Sequence, residues 1–221
     1  MTINNKEHFT VLEHSLGIIF DDKEILARAF THRSYINEHP SSGLRHNERL
    51  EFLGDAVLEL AVTDYLFKKY PDTPEGELTA YRASLVRTES ISDAARALGF
   101  EDYLLLSKGE SKDTGKARAY ILANTFESFI GALYLDQGYE SARSFIGDQL
   151  FSKIDGIIEE GSWKDAKSCL QERAQEKLSI TPTYVVVNEV GPDHDKLFTV
   201  GVVFADDIVA EGTGHSKQEA Q

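Results

Sequence analysis

The feature that most restricts the fold of this chain is the segment ILANTFESFIGALYLD, residues 121–136. Before its final aspartate, the polar side chains in it are Asn124, Thr125, Glu127 and Ser128. A helix that is apolar almost all round is normally buried, and a glutamate is rarely buried without a partner or a function. Asn124 and Glu127 are three residues apart and share one face. The segment therefore predicts a buried helix that carries a polar site.

A second helical segment, NERLEFLGDA at residues 47–56, carries a row of carboxylates. Glu48, Glu51 and Asp55 are spaced i, i+3 and i+7, which places them on one face at intervals of about 5–6 Å. The other positions include four apolar residues: Leu50, Phe52, Leu53 and Ala56. We therefore expect the rest of this helix to be packed. The row itself is either a solvated acidic surface or a partly buried cluster that needs a compensating cation.

If a cation is bound, the ligand types favour a hard one. Mg²⁺ takes oxygen ligands and keeps several waters, so a few carboxylates suffice to hold it. A diiron bundle would need Glu-x-x-His pairs, and none of the seven histidines has a glutamate three residues before it. The alternative for Glu127 is a structural ion pair with an arginine such as Arg82 or Arg118.

The chain changes character near residue 159. Before it, helical periodicity prevails without a strand pattern, and two helices are expected in residues 7–36, broken at the N-cap pair Asp21–Asp22. After it come a helix, three β-rich runs and the start of another helix. We predict an all-α domain at 7–158, a linker at 159–164 and a small α+β domain (α-β-β-β-α) at 165–221. Its last helix is expected to be incomplete, leaving the runs VVV and FTVGVVF partly uncovered.

Composition narrows the classes of function. The formal net charge is −14, from 23 basic and 37 acidic residues, which by itself argues against a nucleic-acid partner. Any RNA binding must then depend on local arrangement. Cys169 is the single cysteine, so no internal disulfide can form. No apolar run reaches the 18 or so residues of a membrane span, and the start lacks a secretion signal, so we expect a cytoplasmic protein without membrane association.

NERLEFLGD resembles the signature of the bacterial ribonuclease III family. Four further motifs resemble that family in the same order: THRSY at 31–35, EGELTAYRASLV at 75–86, SKGE at 107–110 and ILANTFESFIGALYLD at 121–136. The tail resembles the family's double-stranded RNA-binding domain. The resemblance implies a helical-bundle nuclease that hydrolyses phosphodiester bonds in double-stranded RNA with a Mg²⁺-activated water. It also implies 5′-phosphate and 3′-hydroxyl ends with a two-nucleotide 3′ overhang, a homodimer, and roles in rRNA, mRNA and tRNA processing and in RNA decay.

Carried over by motif, the acidic cluster is Glu48, Glu51, Asp55 and Glu127. The resemblance implies that Glu51 and Glu127 ligate Mg²⁺ and that Asp55 is a further ligand or holds the attacking water. Asp55 and Glu127 are thus the catalytic carboxylates, and Glu48 is an accessory one. Asn124 stands where many family members have aspartate. An amide oxygen still ligates a hard cation but carries no charge, so we expect weaker metal binding or a shift towards Mn²⁺.

The resemblance also suggests contact residues. Phe52 resembles a dimer contact, with core packing as the alternative, and Gly54 is expected to permit close helix approach. Thr31, His32 and Ser34 are expected to form a hydrogen-bonded helix end. The tail is expected to bind RNA through four residues: Gln171, Glu172, His194 and Lys217. Six cations are candidates to line the RNA path, with ordinary solvated charge as the alternative: Arg82, Arg87, Lys108, Lys112, Lys116 and Arg118.

Two other functions stay open for this sequence. A non-catalytic double-stranded RNA-binding protein on the same fold is favoured by Asn124, whereas the intact Glu51, Asp55 and Glu127 favour an enzyme. A helical assembly protein that uses only the dimer surface is the third possibility. Removal of Glu127 separates them, because a nuclease then loses cutting but keeps RNA binding.

Overall fold

The computed structural model of the chain describes residues 3–163, 166–192 and 196–221. The chain divides into two compact units, Met1–Trp163 and Lys164–Gln221. The first unit is built from helices, whose bounds are α1 Ile3–Leu16, α2 Lys23–Ala29, α3 Arg33–Glu38, α4 Glu48–Lys69, α5 Glu75–Val86, α6 Thr88–Ala97, α7 Lys116–Gln137, α8 Tyr139–Ile146 and α9 Lys153–Glu160. No strand is assigned in the described part of this unit, as predicted.

The segment that was predicted to be buried forms the central part of α7. Leu122, Phe126, Phe129 and Ile130 are fully buried there. Aromatic rings from four other parts of the unit contact Phe126 or Phe129: Phe20, Phe30, Phe100 and Phe145. The core is therefore arranged around α7, and the prediction of a buried helix is confirmed.

Two glycines let α4 and α7 cross at backbone distance. A Cβ atom on Gly54 would overlap the carbonyl oxygen of Glu127 and lie 2.9 Å from the backbone nitrogen of Gly131. A Cβ atom on Gly131 would in turn overlap the carbonyl oxygen of Leu50. The close approach expected of Gly54 is confirmed, and Gly131 is its unpredicted counterpart on α7. This crossing fixes which residues of the two helices face each other.

The N-terminal region has one helix more than predicted. Asp22 caps α2 as expected, because its carboxylate accepts the backbone N–H groups of Glu24 and Ile25 at 2.8 and 3.2 Å. A second break then falls at Thr31, which forms an isolated parallel bridge with Leu105. That long-range pairing takes Thr31 out of the helix, so the prediction of two helices was wrong here.

The second unit has the predicted α-β-β-β-α order. Its elements are α10 Ala166–Leu178, β1 Thr183–Val190, β2 Leu197–Phe204, β3 Asp207–Gly214 and α11 Lys217–Ala220. The three strands form an antiparallel sheet in the order β1-β2-β3. Val185, Val186 and Val187 of β1 are between 41% and 45% exposed. Val200 and Val202 of β2 are buried, so β1 is the more exposed of these two strands.

None of the helices that the structure describes is long and apolar enough to cross a bilayer.

Candidate active site

The row of carboxylates lies along the first half of α4. Glu48 and Asp55 are exposed, and Glu51 is half-buried between them. Glu48 and Glu51 belong to the first turn, where the partial positive charge of a helix N-terminus favours carboxylates. Glu48 also has two neighbouring nitrogen atoms, since Arg33 Nε is 3.4 Å and His46 Nδ1 is 3.6 Å from its carboxylate oxygens. Glu48 therefore sits at the edge of the row.

Asn47 fixes the start of α4 in the core. Its side chain is 3% exposed and donates from Nδ2 to the carbonyl oxygen of Ala29 at 3.1 Å. Its backbone N–H donates to the carbonyl oxygen of Thr31 at 2.9 Å. Its own carbonyl oxygen accepts a hydrogen bond from Ser128 Oγ at 3.4 Å. Because Ser128 follows Glu127 on α7, Asn47 ties the acidic end of α4 to the polar turn of α7.

Glu127 is the most perturbed carboxyl group among the residues of this site. Burial raises its pKa to about 8, and the negative charges of Asp55, Glu51 and Glu59 add to the rise. The pKa of Glu51 is raised as well, first by burial and then by Glu48 and Asp55. The glycine crossing explains this, because the Glu127 backbone lies against Gly54, between Glu51 and Asp55 in sequence. The structure thus brings Glu51, Asp55 and Glu127 into one electrostatic cluster.

The structure excludes the alternative in which Glu127 pairs with an arginine. Arg82 Nε is 2.9 Å from the Glu59 carboxylate, and its Nη1 donates to Thr63 Oγ1 at 3.0 Å. Arg118 donates to backbone carbonyl groups elsewhere. Within the described parts of the chain, no ion pair or side-chain hydrogen bond is found for Glu51, Asp55 or Glu127. The cluster is therefore negative without a protein cation.

Glu59 was not predicted as part of this row. It lies four residues after Asp55 on α4, so continuing the same spacing along the sequence would have found it. Its charge acts on Glu127, and its carboxylate is held by Arg82.

The donor atoms of the cluster suit a hard cation. Glu51, Asp55 and Glu127 offer carboxylate oxygens, and Asn124 offers an amide oxygen from the preceding turn of α7, where it is half-buried. Among the residues that the structure describes, no three histidine, cysteine or acidic side chains converge closely enough to form a complete metal cage. Mg²⁺ does not need one, because it keeps several water ligands. The residues present therefore fit a partly hydrated hard cation.

A different face of α4 is apolar and exposed. Phe52 is 81% exposed, Leu60 57% and Phe67 70%. Because each residue advances a helix by about 100°, these three lie within about 80° of one another around the axis. The expectation that α4 is packed on its other faces is wrong for this side. Core packing of Phe52 within one chain is excluded with it.

The THRSY segment is structural, as expected. Thr31 Oγ1 donates to the carbonyl oxygen of Ala27 at 2.7 Å. His32 caps α3, since its Nδ1 accepts the backbone N–H of Ser34 at 3.3 Å and lies 2.8 Å from Ser34 Oγ. These contacts close a helix end.

Three of the four predicted RNA-binding residues of the second unit lie in its described part. Gln171 is exposed on α10, and Glu172 belongs to the same helix. His194 lies outside the described residues. Lys217 begins α11, and its Nζ lies 3.7 Å from a Glu189 carboxylate oxygen while its side chain stays 60% exposed.

The six candidate cations of the first unit differ in their exposure. Arg87, Lys108, Lys112 and Lys116 are exposed. Arg82 is half-buried and paired with Glu59. Arg118 is only 8% exposed, so its assignment to the RNA path was wrong. Its buried guanidinium donates hydrogen bonds to backbone carbonyl groups instead.

Comparison with known proteins decides the family. Residues 22–154 match the protein family described as Ribonuclease-III-like, and residues 166–221 match the double-stranded RNA binding motif. The chain is 46% identical over 212 residues to Ribonuclease 3 of Streptococcus equi subsp. zooepidemicus, which covers 96% of this chain and 91% of that protein. The chain belongs to the ribonuclease III family. The first match includes the whole acidic row and Glu127.

Further comparisons agree with this assignment. This ribonuclease III is 45% identical over 213 residues to Ribonuclease 3 of Listeria monocytogenes, with 95% of this chain and 91% of that protein covered. Its fold matches a solved structure of the nuclease domain of ribonuclease III from Campylobacter jejuni with a TM-score of 0.56 and 40% identity. That match covers 62% of this chain and 95% of the other. The protein is an endoribonuclease with a double-stranded RNA-binding domain, and its family implies a requirement for a divalent metal.

Proposed function

We propose that this ribonuclease III hydrolyses phosphodiester bonds of double-stranded RNA at the cluster of Glu51, Asp55 and Glu127, with Mg²⁺ as its cofactor. The observation that carries the proposal is the raised pKa of Glu127 in a cluster without a protein cation. Like charges held together in a partly buried site disfavour their own ionised state, and a divalent ion reverses that effect. The products are expected to carry 5′-phosphate and 3′-hydroxyl ends, with a two-nucleotide 3′ overhang.

Each residue has a defined part in this proposal. Glu51, Glu127 and Asn124 would hold Mg²⁺, with Mn²⁺ as a substitute. A bound Mg²⁺ supplies charge stabilisation at the scissile phosphate and a lower pKa for the attacking water. Asp55 would accept a hydrogen bond from that water and orient it. Glu48 stays at the edge with Arg33 and His46, where it helps to place the RNA or a second ion.

The RNA contacts and the assembly are part of the same proposal. Double-stranded RNA is recognised by its shape, through phosphates and 2′-hydroxyl groups, and we assign this to Gln171, Glu172, His194 and Lys217 in a domain at 165–221. In this proposal the nuclease domain comprises residues 7–158, and the linker comprises residues 159–164. The Campylobacter structure is described as flexible in a region involved in dimer formation of the nuclease domain, and the exposed Phe52 supports a homodimer here. Processing of structured rRNA, mRNA and tRNA precursors in the cytoplasm is the expected role.

Cleavage of a labelled RNA duplex tests the proposal. We expect the wild type to cut a duplex of about 30 base pairs, longer than the roughly 16 that one RNA-binding domain spans, in millimolar Mg²⁺. Glu127→Gln is expected to lose about a hundredfold or more in rate while it binds the duplex normally in Ca²⁺. Glu140→Gln, which removes an exposed carboxylate of α8, is the matched control and should cut like the wild type.

Asn124→Asp is the second variant in this experiment. An added carboxylate should lower the Mg²⁺ concentration needed for half-maximal cutting. Equal requirements for Mg²⁺ in the two proteins would remove Asn124 from the metal site. Duplex binding without cutting by the wild type, in Mg²⁺ and in Mn²⁺, would instead support the non-catalytic RNA-binding protein.

A further inference from the structure

Arg118 is a nearly buried cation in the first turn of α7. Its side chain converges on backbone carbonyl groups of the preceding segment. Nη2 lies 3.0 Å from the oxygens of Glu110 and Ser111 and 3.1 Å from that of Asp113. Nε lies 3.3 Å from the Asp113 oxygen and 3.6 Å from the Glu101 carboxylate. Because a buried charge is costly unless its donors are satisfied, this arrangement holds one conformation of the segment.

The segment that Arg118 holds carries three lysines. We call residues 107–116 the lysine segment, after Lys108, Lys112 and Lys116, all of which are exposed. No ion pair is found for any of the three within the described part of the chain. They stand out on a protein with a net charge of −14. The lysine segment therefore offers cations without an ion pair on a chain in which acidic residues outnumber basic ones.

The other end of the lysine segment is attached to α3. The backbone N–H of Ser107 donates to Ser34 Oγ at 3.0 Å, and that of Lys108 donates to the Glu38 carboxylate at 3.0 Å. Leu105, two residues earlier, pairs with Thr31, whose carbonyl oxygen accepts the N–H of Asn47. The acidic row begins at the next residue. The lysine segment thus starts from the same hydrogen-bonded framework as the catalytic end of α4.

We propose that Arg118 is a positioning residue for substrate binding, which orders the lysine segment so that Lys108 and Lys112 meet phosphates of the RNA duplex. This inference rests on the proposed function, because it assigns phosphate contacts to that substrate. Arg118 itself touches no RNA. Its guanidinium fixes three carbonyl groups before RNA arrives, so less conformational entropy is lost when the lysines bind.

The test compares Arg118→Met with Arg96→Met in the full-length protein. Arg96 is an exposed arginine of α6 that pairs with Asp93, so its variant controls for the loss of one positive charge. Duplex binding is measured in Ca²⁺ across a range of salt concentrations, and cutting is measured in Mg²⁺. We expect Arg118→Met to weaken duplex binding roughly tenfold or more, and to reduce the slope of log K against log salt by about two, one for each lysine. The kcat at saturating duplex should change by less than about twofold, since the carboxylates are untouched.

Two further variants make the test independent of folding. Arg118→Lys keeps the charge but lacks the planar fork that spans several acceptors, so its binding should be intermediate. In a protein that already carries Lys108→Gln and Lys112→Gln, Arg118→Lys should add no further loss, because coupled residues are not additive. Amide hydrogen exchange of residues 107–115 should be faster in both Arg118 variants than in the wild type.

The outcomes separate this inference from the proposed function. If hydrogen exchange quickens but the affinity and salt slope stay at wild-type values, Arg118 orders the segment without a role in binding and the proposal is overturned. An additive loss in the triple variant overturns it as well. If the wild type neither binds nor cuts duplex RNA, the proposed function fails first, and this inference fails with it whatever the exchange shows.

Discussion

Glu127 keeps an ionisable carboxyl group on a helix that is otherwise mostly buried. Its spacing from Asn124 and its apolar surroundings are visible in the sequence. The identity of its neighbours is not, because Arg82 and Arg118 were equally plausible partners by spacing and both are engaged elsewhere. What the structure adds at this scale is a cluster of carboxylates in which burial and like charge act in the same direction.

The raised pKa of Glu127 predicts how stability depends on pH without metal. Between its ordinary value of 4.5 and about 8, the native protein holds a proton that the unfolded chain has lost. The contribution of Glu127 to the free energy of unfolding is therefore present in full below pH 4.5 and is lost as pH rises through about 8. We expect the wild type to lose roughly 1 kcal/mol or more relative to Glu127→Gln between about pH 5 and pH 8, since a difference of one in pKa corresponds to about 1.4 kcal/mol.

Urea unfolding in EDTA at several pH values measures this difference. Glu140→Gln again provides the control for a lost surface carboxyl group. Adding Mg²⁺ at about pH 8 should then stabilise the wild type more than Glu127→Gln, because the ion binds the native carboxylates. Parallel pH profiles for the wild type and Glu127→Gln would show that Glu127 is an ordinary surface-like carboxyl group.

At the scale of elements, α4 presents three different faces. One carries the carboxylates, a second places Gly54 against α7, and a third exposes Phe52, Leu60 and Phe67. The periodicity of the sequence identified the first face, and Gly54 was expected to permit close approach of a helix that the sequence did not specify. The periodicity could not identify the third, because an exposed apolar face and a packed one have the same pattern of residues, and only the position of neighbouring helices distinguishes them.

The crossing of α4 and α7 predicts a large effect of a single methyl group. Gly54→Ala places a Cβ atom on the carbonyl oxygen of Glu127. We therefore expect the free energy of unfolding to fall by at least about 1–3 kcal/mol. A Cβ atom on Gly156 of α9 would have no neighbour within 4 Å, and Gly156→Ala should be neutral or gain about 0.5–1 kcal/mol from helix propensity. Urea unfolding followed by circular dichroism measures both. Equal stabilities for the two variants would contradict the close crossing.

At the scale of the whole molecule, the protein and its RNA substrate both carry a net negative charge. A protein with a net charge of −14 is predicted to bind a polyanion, so binding must depend on the few places where cations gather. The lysine segment is one such place. The exposed apolar face of α4 is the second feature at this scale, since patches of this kind commonly mark an interface.

Phe52→Gln tests whether that face joins two copies of the chain. We expect the wild type to sediment as a dimer at micromolar concentration and Phe52→Gln to sediment largely as a monomer, because a polar side chain replaces the most exposed ring of the patch. Val11→Gln removes a 61% exposed apolar side chain on α1 and should leave the dimer intact. A wild type that is monomeric, or a Phe52→Gln dimer of unchanged affinity, would exclude this role.

The sequence by itself determined most of the succession of elements, the family and most of the acidic cluster, because helical spacing and motif order are local properties of the chain. The tertiary structure decided what those residues do to one another. It showed that Gly131 completes the crossing, that Glu59 belongs to the acidic row, that Arg118 is buried and that Phe52 is exposed. The reason is physical: burial, pairing and pKa depend on groups that are distant in the chain, and their positions are set only when the helices pack.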